Sequence, residues 1–76
     1  MSDIKDYERL ANAIIRQAVK DWKAAVRTLK RLPGSDKAKQ VREDCEDFFL
    51  SDWFTALTDV DGAVVLQKLK KEARVL

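Results

Sequence analysis

Ala18-Val19-Lys20-Asp21-Trp22-Lys23-Ala24-Ala25-Val26-Arg27-Thr28-Leu29-Lys30-Arg31-Leu32-Pro33-Gly34-Ser35-Asp36 is the stretch that decides the fold. Its apolar side chains recur at steps of three and four residues, which at about 100° per residue gathers them on one side of a helix. The pattern reaches back through Ile4, Tyr7, Ala11, Ile14 and Ala18, with Ile15, Val19, Trp22, Val26 and Leu29 beside them, and no Gly or Pro interrupts it before Pro33. Ser2 or Asp3 is placed to cap its start. Leu32-Pro33-Gly34 ends it, because proline disfavours helix in the residue before it and glycine accepts a left-handed turn. The expectation is one helix of about 28 residues, roughly 42 Å long at helical rise, forming the spine of the fold.

Beyond the Pro33-Gly34-Ser35-Asp36 turn, Ser35 or Asp36 supplies the next N-cap. A second helix is expected from about Asp36 to Leu50, burying Ala38, Val41, Cys45, Phe48 and Phe49 and lying antiparallel to the first. Ser51-Asp52 reads as another cap, which places Trp53, Phe54 and Leu57 on a short third helix. Thr58-Asp59-Val60-Asp61-Gly62 then breaks and restarts the chain. Asp59 or Asp61 would cap a final helix with Val65, Leu66, Leu69, Ala73 and Leu76 on its apolar side. No segment alternates as a half-buried strand does, so the fold class is all-α: a small helical bundle with a long N-terminal helix in an antiparallel hairpin, then a short helix and a C-terminal helix. A chain of 76 residues has room for one core and hence one domain, residues 1–76.

The net charge of +2 conceals a segmentation along the chain. Residues 16–42 carry nine bases against Asp21 and Asp36, a balance of +7; residues 43–61 carry seven acids and no base. Arg16, Lys20, Lys23, Arg27 and Lys30 fall on the side of the first helix opposite its apolar residues, a straight stripe about 21 Å long at helical rise. Such a stripe suits a run of phosphates or an acidic protein surface. It also suits an ordinary solvated face, with stems lying over apolar neighbours. The acidic segment from Glu43 to Asp61 is expected to be able to fold beside the stripe and neutralise it.

Residue types argue against catalysis. There is no His to move protons near neutral pH, and Cys45 falls on the buried side of the second helix, where a thiol acts as a small apolar group. With one Cys and no His, no zinc site of ordinary composition is available, and no cofactor is expected. Asp59, Asp61 and Gly62 mimic part of a calcium loop, but that register puts Leu57 at the first ligand position and Lys68 at the twelfth, where carboxylates are required. The turn-and-cap reading of Asp59 and Asp61 is the better one. Trp53 and Phe54, following Phe48, Phe49 and Leu50, are read as core, with an exposed Trp as the alternative and then a partner anchor. The apolar runs are far too short to span a bilayer and no secretory leader is visible, so a cytoplasmic location is expected.

The run Phe48-Phe49-Leu50-Ser51-Asp52-Trp53-Phe54-Thr55-Ala56-Leu57-Thr58-Asp59-Val60-Asp61-Gly62, with Ala18 to Trp22 upstream and Leu66 to Glu72 at the end, resembles a group of small bacteriophage- and prophage-encoded proteins. The resemblance implies a phage origin and a bacterial host cytoplasm, and it transfers no catalytic residue. Small phage proteins often bind host proteins, including as inhibitors of bacterial defence such as anti-CRISPR proteins. The expected function is a protein-binding module that modulates a host or phage protein, using Arg16, Lys20, Lys23, Arg27 and Lys30, with Trp53, Asp59 and Asp61 as further contacts. The alternatives are a nucleic-acid-binding accessory protein using the basic face and a structural homo-oligomer such as a homodimer. No membrane partner is expected.

Overall fold

The computed structural model describes residues 3–75, with side chains from 6 to 74; Ser2, Leu76 and the side chains of Asp3 and Ile4 lie outside the described residues. The chain is all-α. Among the described residues four helices follow one another: α1 (Asp3–Arg31), α2 (Asp36–Phe49), α3 (Asp52–Leu57) and α4 (Gly62–Val75). α1 runs nearly the length of the molecule, whose principal extents are 48 × 21 × 21 Å. Its apolar stripe has to be covered by the other three helices, none of which is long enough to do so alone.

The α1–α2 turn is closed by Pro33. The Leu32 N–H still donates to the Thr28 carbonyl at 2.7 Å, and the Ser35 N–H reaches the Leu32 carbonyl at 3.0 Å. Gly34 does not take the left-handed conformation expected of it; no described glycine has positive φ. Proline already fixes the turn at its second position, and a type I turn requires nothing unusual of the third. Of the two candidate caps it is Ser35, with extended backbone, whose hydroxyl accepts the Ala38 N–H at 3.2 Å. Ala25 and Ala38 are both buried on the turn side of the hairpin and line one groove between α1 and α2.

Farther from the turn, aromatic and larger aliphatic side chains fill the interior. Trp22 (3% exposed), Cys45, Phe49 (1%), Phe54, Leu66 and Leu69 form the core, flanked by half-buried Ile15, Val19, Val26, Val41 and Phe48. Phe48, Phe49 and Phe54 meet at ring-centroid distances of 5.6–5.8 Å with tilted or edge-on planes, the arrangement that aromatic quadrupoles favour. Ser51 makes the corner that permits this. Its hydroxyl donates to the Phe48 carbonyl at 2.7 Å and accepts the Phe54 N–H at 3.2 Å, ending α2 at Phe49 and starting α3. Leu50, expected inside α2, is its C-cap and is exposed.

α4 returns alongside α1, antiparallel to α2, with Leu66 and Leu69 buried. Of the two candidate residues it is Asp61 that caps it, its Oδ1 accepting the Ala63 N–H at 2.9 Å. Gly62 is buried against the end of α2, where any Cβ would overlap the Phe49 carbonyl. The positive end of one helix dipole therefore sits on the negative end of another.

Trp22→Ala is expected to cost about 3–5 kcal/mol, the range for emptying a large buried aromatic site, measured by urea unfolding. Gly62→Ala should cost ~2 kcal/mol or more because the clash is with backbone, which cannot rotate away. Gly34→Ala, with nothing within 4 Å of the new carbon, should fall within about 0.5 kcal/mol of the parent.

Candidate functional site

The basic residues of α1 do not form one free stripe. On a helical wheel Lys23 and Lys30 lie next to Val19 and Val26, on the flank of the apolar side and not opposite it, so they meet α4. The Lys23 ammonium lies 3.6 Å from the Glu72 carboxylate, and Lys30 Nζ donates to the Ala73 carbonyl at 2.7 Å. Arg16, Lys20 and Arg27 remain exposed, and no described carboxylate pairs with them. Residues 43–61, which the sequence allows beside the stripe, make no ion pair with it among the described residues. α2 packs on the other flank of α1, and its Glu46 turns instead to Trp22, Arg42 and Lys70.

Between α1 and α4 these bases rim an open groove of about 250 Å³. Trp22, Val26, Leu69 and Ala73 line it, while Lys23, Arg27, Lys30 and Glu72 stand around it. Apolar surface and an excess of positive charge thus adjoin.

A second groove, of about 350 Å³, lies between α1 and the α2–α3 corner. Trp53 stands at its edge, 58% exposed, so the core reading holds for Phe54 and fails for Trp53. Both follow directly after the Ser51 corner, and adjacent residues on a helix point about 100° apart, so only one can face the core. The Trp53 ring is nevertheless held, edge-on to Phe48 with centroids 5.3 Å apart. Ile14 and Ala18 line the groove from α1, and Asp21 and Asp44 lie at its border.

Asp59 is exposed, and Asp61 is engaged as the α4 cap. The structure therefore does not assemble the sequence-predicted residues into one site. The bases adjoin α4, and Trp53 faces Asp21 and Asp44 across a different groove. The sequence reading missed Asp21 and Asp44 because Asp21 is a lone acid among bases and Asp44 is one of seven acids in its segment; the available signal was the row Leu10, Ile14, Gln17 and Asp21, at steps of four, three and four along one side of α1.

Charge is also polarised in space. Arg27, Lys30 and Arg31, Lys37 and Lys39, and Arg42, Lys70 and Arg74 gather toward the hairpin-turn end, because α4 ends beside Lys30 and Arg42. α3 packs near the start of α1, where the Tyr7 hydroxyl donates to the Ala56 carbonyl at 3.1 Å, and carries Asp52 on its first turn.

Among the described residues no His/Cys/Asp/Glu group could hold a metal ion, and no helix is long and apolar enough to cross a membrane. Burial pushes the Cys45 thiol above its ordinary pKa, and the nearby carboxylates of Asp21, Asp44 and Glu46 push it the same way. That direction disfavours a thiolate nucleophile. No family model, curated protein or solved structure matches the chain.

Because the folded state holds the Cys45 proton more tightly than the unfolded chain, this residue's contribution to stability is complete below the ordinary thiol pKa. It is lost as pH rises above that value toward the raised one. Cys45→Ala should flatten that alkaline limb of a stability-versus-pH curve. Native Cys45 should also react with a disulfide reagent much more slowly than the unfolded chain does.

Proposed function

We propose that the chain is a protein-binding module, acting without catalysis, that modulates a host or phage protein. In the phage setting that the sequence resemblance implies, the site of action is the bacterial cytoplasm and an anti-defence inhibitor of the anti-CRISPR kind is the fitting form. The observation that carries this reading is the adjacency of the α1 bases to the apolar α1–α4 groove. Exposed charge steers encounter and contributes little holding energy of its own, whereas a partly desolvated apolar pocket supplies the anchor. An acidic partner segment with one apolar side chain fits both. Arg16, Lys20 and Arg27 steer it, Lys23 and Lys30 border the pocket, and Trp22 and Leu69 receive the anchor.

One observation favours a second reading. The bases collected at the hairpin-turn end would serve a nucleic-acid-binding accessory protein, since neutralised phosphates supply most of such affinity.

The test is charge reversal at Arg16, Lys20 and Arg27 together, chosen because none of the three holds α4 in place. Partner affinity is expected to fall by about 100-fold or more, chiefly through the association rate, with the helical circular dichroism unchanged. Retention of the unmodified chain on duplex DNA, with affinity falling steeply between low and physiological salt, would favour the nucleic-acid reading. Affinity capture that recovers only the chain itself, together with a dimer on sizing, would favour the homo-oligomer. Unchanged partner affinity in the reversed variant would refute the assignment to this face.

A further inference from the structure

We infer that the groove between α1 and the α2–α3 corner is a second docking surface, which takes a basic amphipathic helix of a partner protein. Three features carry this, and none involves the α1–α4 groove.

The apolar surface is continuous and pre-formed. Leu10 is 60% exposed and lies one turn before Ile14, which lines the groove with Phe48 and the exposed Trp53. An isolated exposed apolar residue needs no explanation, whereas a contiguous set does. The Trp53 ring is fixed edge-on against Phe48, itself packed on Phe49 and Phe54. A partner meeting it need not immobilise a free indole, which is the condition under which aromatic anchors contribute most.

The border is acidic and unspent. Asp21 accepts from the Gln17 amide at 2.9 Å and Asp44 from the Gln40 amide at 2.8 Å, both neutral donors on their own helices. Among the described residues no cation pairs with either carboxylate. Burial first, and then the negative field of both carboxylates, push the Cys45 thiol upward at the groove. An occupant with Lys or Arg beside its apolar residues would relieve that field. A second copy docked symmetrically would set the same carboxylates against each other, which disfavours a dimer closed over this face.

The dimensions suit a helix. From Leu10 to Asp21 the α1 wall extends for about three turns, roughly 16 Å, enough for apolar anchors at successive three- and four-residue steps.

The test uses the full chain, labelled with ¹⁵N, and two synthetic amphipathic helical peptides. One carries a Leu ridge flanked by Lys; in the other every Lys is Glu. The Lys peptide should saturably shift the amides of Leu10, Asp21 and Asp44 and the indole N–H of Trp53. The Glu peptide should bind at least about tenfold more weakly, a gap that narrows as salt is added. Trp53→Ala should weaken the Lys peptide by about tenfold or more with helical circular dichroism intact. Leu10→Gln, at an equally exposed position, serves as an independent variant expected to act in the same direction. Asp21→Asn combined with Asp44→Asn should abolish the preference between the peptides. Charge reversal at Arg16, Lys20 and Arg27 should leave peptide binding intact, which separates this groove from the α1–α4 site. Equal binding of the two peptides, no binding of either, shifts centred elsewhere, or sedimentation as a dimer closed over Trp53 would each overturn the inference.

Discussion

The indole of Trp22 is the constraint on which the other helices depend. It is almost wholly buried, so its bulk fills the space between α1, α2 and α4, and its one polar atom must find an acceptor. Nε1 donates to the Glu46 carboxylate at 3.0 Å, and the same carboxylate lies 3.9 Å from Arg42 on its own helix and 3.9 Å from Lys70 on α4. The two ion pairs are long and partly solvated and add little individually. The hydrogen bond to the indole differs, because it is charge-assisted and its loss would strand a buried donor. One acid thereby ties the register of α2 to that of α1.

That register determines what α3 can do. With Trp22 beside Glu46, Phe49 is brought into the core and the chain must turn at once to avoid running past it. Ser51 makes the turn with one hydroxyl that donates backward and accepts forward. Gly62 then completes the circuit, since α4 can bring its Leu66 and Leu69 into the core only if its first residue lies against the Phe49 carbonyl, where a side chain has no room. The cost of so sharp a corner is that Phe54 and Trp53 cannot both be buried, and Phe54 takes the place beside Phe48 and Phe49.

The helices were legible in the sequence because each has a local cause: apolar periodicity for α1, Pro33 for its end, and Ser35, Ser51 and Asp61 as side-chain acceptors for the next three starts. What failed to read was tertiary. The steps of three and four grouped five bases as one stripe, but Lys23 and Lys30 lie toward its apolar flank, and whether α4 reaches them there depends on how closely the helices pack. The fate of Trp53 likewise depends on a corner angle, to which hydrophobicity is blind. Asp21 and Asp44 are far apart in sequence and come together only because α2 folds back on α1 in the register that Trp22 imposes.

The exposure of Trp53 and Leu10 has energetic weight in so small a chain. Burying a large apolar side chain is worth about 1.5–3 kcal/mol, so leaving two outside forgoes a sizeable part of the 5–15 kcal/mol typical of whole domains. Polar residues at those positions would leave the buried core intact, because neither side chain belongs to it. Leu32 and Leu50 are also exposed, but Leu32 stands at the hairpin turn and Leu50 at the α2 C-cap, each at a chain reversal. The set around Trp53 is different in kind, since it is contiguous, held in place by Phe48 and bordered by carboxylates that no internal base neutralises. Water and dissolved cations answer the carboxylates but leave the indole and Leu10 in contact with solvent, so the apolar part of this surface, unlike its charge, is left without relief inside the chain.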